Sequence, residues 1–422
     1  MSGRNISPNL ALDQRIAERR ARGERIVHLG FGESRLPVFP PLREALVEGA
    51  ERNAYGPVAG AEDVRTAVAG WFGRRALPTT PDQVIVAPGS KALLLALQLV
   101  HPGDVLLPSP CWVTYRPQAV LAGKRALGVP VPAECGGVPD PDALRARIRR
   151  ARAQGQRPGI LILTSPDNPT GTTAAPALIR ELCGIAEEEE LLVVSDEIYR
   201  DLLHDPRRPY LSPAEVLPHR TVVVTGLSKN LALGGWRIGA ARFPADEDGR
   251  RLRDDVASVA SENWSTLAGP MQQVAAYAFA EPPELRARLA ADARLHARVA
   301  AAVYERFVAA GAVCRPPTGG FYVYPDFEPL RAVLARQGVS DDEGLQRLLE
   351  DHGVAVLAGR HFGDDPAALR FRAATSMLYG DTREEQRAAQ QAVERGEDPL
   401  LLPHVAEVLG DLERALAKLT AV

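Results

Sequence analysis

The chain has 422 residues, 45% of them hydrophobic and 24% charged, with a net charge of −3. That length exceeds one small core and suits a large domain with a smaller one. The near-neutral charge gives no electrostatic basis for binding nucleic acid or a membrane surface, and no run of about 18 or more apolar residues is present to span a bilayer.

Residues 11–25 (ALDQRIAERRARGER) predict a polar helix without the apolar centre of a signal peptide. Ile26–Leu29 reads as a short strand ending in Gly30-Phe31-Gly32-Glu33, where two glycines suit a tight turn or the close approach of a ligand. Pro37, Pro40 and Pro41 lead into a helix over 42–52, and Tyr55 follows in a loop before a helix over 61–75. Residues 83–100 (QVIVAPGSKALLLALQLV) predict a strand, a turn with Ser90 and Lys91, and an apolar helix. The free N–H groups and positive dipole end of such a helix form a natural anion site. A second strand at Val105–Leu107 leads to Trp112, placed among prolines where an indole can stack on a ring. The stretch Arg145–Arg152 reads as a solvated helix face, and the four scattered cysteines read as free thiols of a reducing compartment, the cytoplasm.

Residues 159–163 form a third strand, closed by the turn Ser165–Gly171 carrying Asn168. After a helix over 175–190, the apolar strand Leu191–Ser195 ends at Asp196, with Tyr199 three residues on. A carboxylate leaving a buried strand needs a cationic partner or caps the next helix. Val222–Val224 is another buried strand, followed by Ser228, Lys229 and, eight residues later, Arg237. Strand and helix alternate from about 83 to 240 with chemistry-bearing residues at strand ends, the pattern of a mostly parallel sheet with its site at the carboxyl edge. A long helical region (250–310), strands at 321–324, 354–357 and 368–376, and helices at 345–352 and 400–419 predict a separate α+β part. In the 368–376 strand Arg370 and Arg372 share a face.

Alone, Lys229 reads as a surface lysine. Burial and neighbouring charge would make it a neutral amine able to condense with a carbonyl, and pyridoxal phosphate is the carbonyl cofactor that such an amine serves. That cofactor asks for an acid at its ring nitrogen, a cradle for its phosphate, a flat neighbour and a substrate-binding arginine.

The segments LGFGE (29–33), YGPVAG (55–60), APGSKALLLAL (87–97), PCWVTY (110–115), SPDNPTG (165–171), SDEIY (195–199), SKNLALGGWRIG (228–239), GGFYVYPDF (319–327) and LRFRAATS (369–376) together resemble the aspartate-aminotransferase superfamily, fold-type-I pyridoxal-phosphate enzymes of aminotransferase class I/II. The resemblance spans roughly residues 25–380. It implies an α/β fold: a large cofactor-binding domain over 40–300 with a mostly parallel, seven-stranded-type sheet between helices, and a smaller α+β domain from 1–39 and 301–422. It implies Lys229 as Schiff-base lysine and general base, Asp196 at the pyridine nitrogen, and Tyr199 and Asn168 as donors to the ring O3′. Trp112 would stack on the ring. Ser90, the Lys91 backbone, Arg237 and Ser228 would cradle the phosphate, joined by Tyr55 from the neighbouring subunit of a homodimer. Arg370 would grip the substrate carboxylate, helped by Asn168 and the Gly32 N–H.

Arg372 stands where the family commonly has a small polar residue; it either pairs with Asp or Glu, the expected reading, or binds substrate, which leaves two arginines for the carboxylate clamp, with Arg370 favoured by register. Ser34-Arg35 replace a frequent proline at the substrate entrance, and Lys91 suggests an acidic substrate side chain. The implied reaction moves an amino group between an amino acid and a 2-oxo acid by a ping-pong route. Elimination, replacement, cyclisation or oxidation on the same cofactor is the alternative, while a ligand-sensing regulator would need a DNA-binding domain ahead of residue 25. No metal site is expected.

Overall fold

A computed structural model describes residues 7–420, so residues 1–6 and 421–422 of the expected small domain lie outside the described residues. The strands are β1 (Val27–His28), β2 (Val84–Ala87), β3 (Asp104–Ser109), β4 (Ala126–Pro130), β5 (Pro158–Thr164), β6 (Leu192–Asp196), β7 (Thr221–Gly226) and β8 (Gly239–Arg242). Strands β2 to β8 form one seven-stranded sheet in the order β2-β8-β7-β6-β5-β3-β4. All pairs are parallel except those of β8, which runs antiparallel to both β2 and β7.

The central strands explain themselves. Val193, Val194, Val222, Val223 and Val224 are β-branched and essentially inaccessible, as a strand covered on both faces requires. Each such valine contributes about 1.5–3 kcal/mol by burial. One face packs on helices Ser90–Val100 and Glu247–Asn263, the other on Pro141–Ala153 and Pro176–Glu188. The arginine-rich stretch lies on that Pro141–Ala153 helix, where Arg145 and Arg152 pair with Glu188 and Glu189.

A second core gathers Val27 and Leu36 with Leu295–Phe307 and residues as far as Leu419. Its strands are β9 (Tyr322–Val323), β10 (Val354–Ala355), β11 (Leu357–Ala358) and β12 (Phe371–Ala374). β1 pairs with β10, and the other three form a sheet in the order β11-β12-β9. The expected single strands over 354–357 and 368–376 are thus shorter, the first split in two. The long helical region resolves into Glu247–Asn263, Gly269–Ala280 and the 27-residue Pro283–Ala309. Behind the β7 end, Arg75 binds Asp201 at 2.6 Å and Glu281 at 2.5 Å, its guanidinium 3.8 Å above the Trp71 ring. Asp201 in turn accepts a hydrogen bond from Asn230 at 3.0 Å. Among the described residues no helix is long and apolar enough to cross a membrane, and no cluster of His, Cys, Asp and Glu could hold a metal ion.

Candidate active site

The parallel strands all deliver their following loops to one edge of the sheet, and β8, running the other way, starts there. Ser90, Trp112, Asn168, Asp196, Tyr199, Ser228, Lys229 and Arg237 thereby line one cavity of about 460 Å³ together with Gly32 and Lys91. Phe31, Glu33, Tyr322 and Arg372 come to the same cavity from the second core's side.

Lys229 is half-buried in the cavity, and its Nζ donates to the Gly32 carbonyl at 2.5 Å. Gly32 therefore shows its carbonyl to the lysine, where its N–H was expected to serve the substrate. Burial pushes the Lys229 ammonium down to about 8, against the pull of Glu33 and reinforced by Arg372, Arg237 and Lys91. Burial lifts the Asp196 carboxyl to about 6, opposed by a 2.7 Å hydrogen bond from the Tyr115 hydroxyl and one from the Ile198 N–H. Tyr115 also shares a 2.7 Å bond with the Thr164 hydroxyl, which fixes the phenol against Asp196. Asp196 is thus held by donors and remains mostly ionised near neutral pH.

The helix Ser90–Val100 opens directly on the cavity. Its cap, Gly89, has φ +90°, and a Cβ there would lie 2.3 Å from Arg237 Nη2. Only glycine lets the guanidinium and the helix N-terminus converge, and this pairing of N–H groups with a cation is a cradle for an oxyanion. Arg237 itself adopts the left-handed conformation and is held by its bond to the Gly234 carbonyl at 2.9 Å. Lys91 Nζ stands 5.3 Å from the centre of the Trp112 ring; burial and then Arg237 lower its pKa. It makes no ion pair among the described residues.

The arginine expectation is reversed. Arg370 does not reach the cavity: it is held by Asp326 at 2.7 Å and Asp364 at 3.2 Å, half-exposed on another face of the molecule. Arg372 is the buried guanidinium in the site, and among the described residues it pairs with no carboxylate. It donates to Asn168 Oδ1 at 3.1 Å, the Gly30 carbonyl at 2.7 Å and Asn9 Oδ1 at 3.2 Å. The two positions share a face but stand about 7 Å apart along the strand. Only Arg372, on β12 between β11 and β9, lies deep enough; Arg370 precedes the strand, where an isolated bridge joins it to Asp326.

Asn168, with its oxygen taken by Arg372, turns its amide toward the Tyr199 hydroxyl at 3.5 Å. Tyr55 is 81% exposed and does not line this chain's own cavity. Tyr115, Tyr322 and Glu33 were not identified from the sequence as site residues. All three lie inside the motifs given above, Tyr115 three residues after Trp112 at the start of a helix and Tyr322 at the start of β9, so their place beside identified site residues was the available signal.

The profile of aminotransferase class I and II matches residues 24–378. Among curated proteins, the chain is 34% identical over 373 residues to the aspartate/prephenate aminotransferase of Thermus thermophilus, covering 84% of this chain and 89% of that one. It is 31% identical to the aspartate aminotransferase of Geobacillus stearothermophilus over 90% of this chain and 95% of the relative. Among solved structures, the Thermus thermophilus aspartate aminotransferase with maleate superposes with a TM-score of 0.80 at 28% identity, covering 97% of each chain. The seven-stranded sheet covered by helices on both faces, the lysine and carboxylate that share one cavity and the profile match over most of the length agree: the chain belongs to the aminotransferase class I and II family.

Proposed function

We propose that this aminotransferase holds pyridoxal phosphate in the cavity and uses it to exchange an amino group between an acidic L-amino acid and a 2-oxo acid. The observation that carries this reading is the charge of the cavity. Among its described lining residues four cations (Lys91, Lys229, Arg237 and Arg372) face two carboxylates (Glu33 and Asp196). Such an excess, in so small a volume, calls for a multiply charged anion. The residues fit the cofactor: Lys229 for its carbonyl, Asp196 for its ring nitrogen, Trp112 for its face, and Ser90, Ser228 and Arg237 for its phosphate. When bound, it supplies a carbonyl and an electron-accepting ring. Lys229, with a proton affinity near neutrality, takes and returns a proton at Nζ. Arg372 binds the α-carboxylate in a two-pronged way, and its enclosure excludes water from that pair.

Lys91 is assigned to the substrate's second carboxylate, since it lines the cavity, the Arg237 charge repels its own and no acid among the described residues offsets it. The solved relative that carries maleate, a dicarboxylate, supports this. In Lys91→Gln, kcat/KM for aspartate should fall about 10–100-fold, as expected for a lost bond to a charged group, with leucine changed less than about threefold. Equal losses for both amino acids would move Lys91 to the phosphate instead.

The second copy of a homodimer is proposed to cover the exposed Tyr55 loop and complete the site. Light scattering should return twice the chain mass at micromolar concentration; a monomer with full activity would remove this part. The four cysteines are unpaired, in keeping with a cytoplasmic setting.

A further inference from the structure

Tyr322, at the start of β9, is fully buried, and its hydroxyl lies 2.6 Å from that of Tyr199. The two rings meet edge to face at 81°, with centroids 5.5 Å apart. Arg372 stands 5.0 Å over the Tyr322 ring. On the other side Gly32 closes the space, for a Cβ there would sit 2.5 Å from the Tyr322 hydroxyl. Both phenols line the cavity.

Each phenol carries one proton, because burial pushes Tyr322 up to about 12 and Tyr199 well above its usual value. Either hydroxyl can donate across the 2.6 Å bond. The Tyr199 oxygen also faces the Asn168 amide, whereas the Tyr322 hydroxyl has no other hydrogen-bond partner among the described residues. An anionic oxygen in reach of Tyr199 settles the direction. Tyr199, keeping its proton, donates a hydrogen bond to that oxygen, and the Tyr322 hydroxyl donates to the Tyr199 oxygen. A hydroxyl that accepts a hydrogen bond donates a stronger one, most of all in a site from which water is excluded.

We infer that Tyr322 is a positioning residue: its hydroxyl donates to Tyr199, aiming the Tyr199 proton at the ring oxygen of the cofactor and strengthening that bond. The inference rests on the proposed cofactor reading. With the cofactor bound, negative charge on its ring oxygen would favour the protonated form of the Lys229 nitrogen, and a strong donor from Tyr199 to that oxygen would favour release of the proton.

The test is the pH midpoint of the visible absorption band of the holoenzyme. In Tyr322→Phe the midpoint should rise by about half a unit, since only the cooperative share of one bond is lost. Tyr199→Phe should raise it further, and the double variant no further than Tyr199→Phe alone. Gly32→Ala, whose methyl would displace the Tyr322 hydroxyl, should move it in the same direction, and serves if Tyr322→Phe folds poorly. A stable Tyr322→Phe with an unmoved or lowered midpoint, or an undiminished effect in the Tyr199→Phe background, overturns the inference. Failure of the cofactor reading looks different: wild-type protein given the cofactor would show no such band.

Discussion

Replacing Lys229 with methionine is expected to reduce turnover by at least about 10⁴-fold, because the amine serves both as the cofactor's covalent partner and as the proton carrier at one atom. The visible band of the bound cofactor should be lost with it. The same substitution should stabilise the cofactor-free protein at pH 7. Folding lowers the Lys229 pKa to about 8 through burial, whereas unfolded lysine titrates near about 10.4. The folded state therefore carries an unfavourable charge whose cost is full below pH 8 and fades as pH rises toward the unfolded value. Removing it should contribute up to about 3 kcal/mol at pH 7 and little by pH 10. Thermal melts of the apo forms at the two pH values check this. Normal turnover in Lys229→Met would end the proposed mechanism outright.

The second large effect separates the two arginines. In Arg372→Leu, kcat/KM should drop by about 10²–10³-fold, the cost of truncating one side of a buried charge pair. Arg370→Leu should change it less than about threefold, because its bonds to Asp326 and Asp364 are half-exposed and lie on another cavity. Arg372→Lys should recover only part of the loss, since an ammonium cannot make the paired contact of a guanidinium. The reverse ranking, with Arg370 dominant, would restore the arrangement expected from register and refute the one built on depth.

That reversal marks where sequence reading stops. The alternation of apolar strands and helices between 83 and 240 made the parallel sheet visible, because fully buried strands have a distinctive composition. Lys229, Asp196 and Asn168 were legible because each follows such a strand. Two strands of the large sheet were not identified as such. β4 alternates Ala, Gly and Pro with Leu and Val at the sheet edge, and β8 is Gly-Ala-Ala-Arg, with small side chains because it packs closely against its neighbours. Period-two alternation puts Arg370 and Arg372 on one face, but depth along a strand is set by what flanks it. Asp326 and Asp364, which capture Arg370, are 44 and 6 residues away in sequence. Tyr115 and Tyr322 were equally invisible as partners, since their bonds to Asp196 and Tyr199 cross 81 and 123 residues.

The network behind β7 bears on what happens between half-reactions. Asn230, the residue next to Lys229, is tied through Asp201 to Arg75 and onward to Glu281. In the proposed cycle the lysine would release its carbonyl partner once and recover it once per turnover. Its four-carbon stem swings freely, but its root is bolted to an ionic knot outside the reaction space. Every recapture is then an intramolecular event from a fixed pivot, with the effective concentration that such tethering confers.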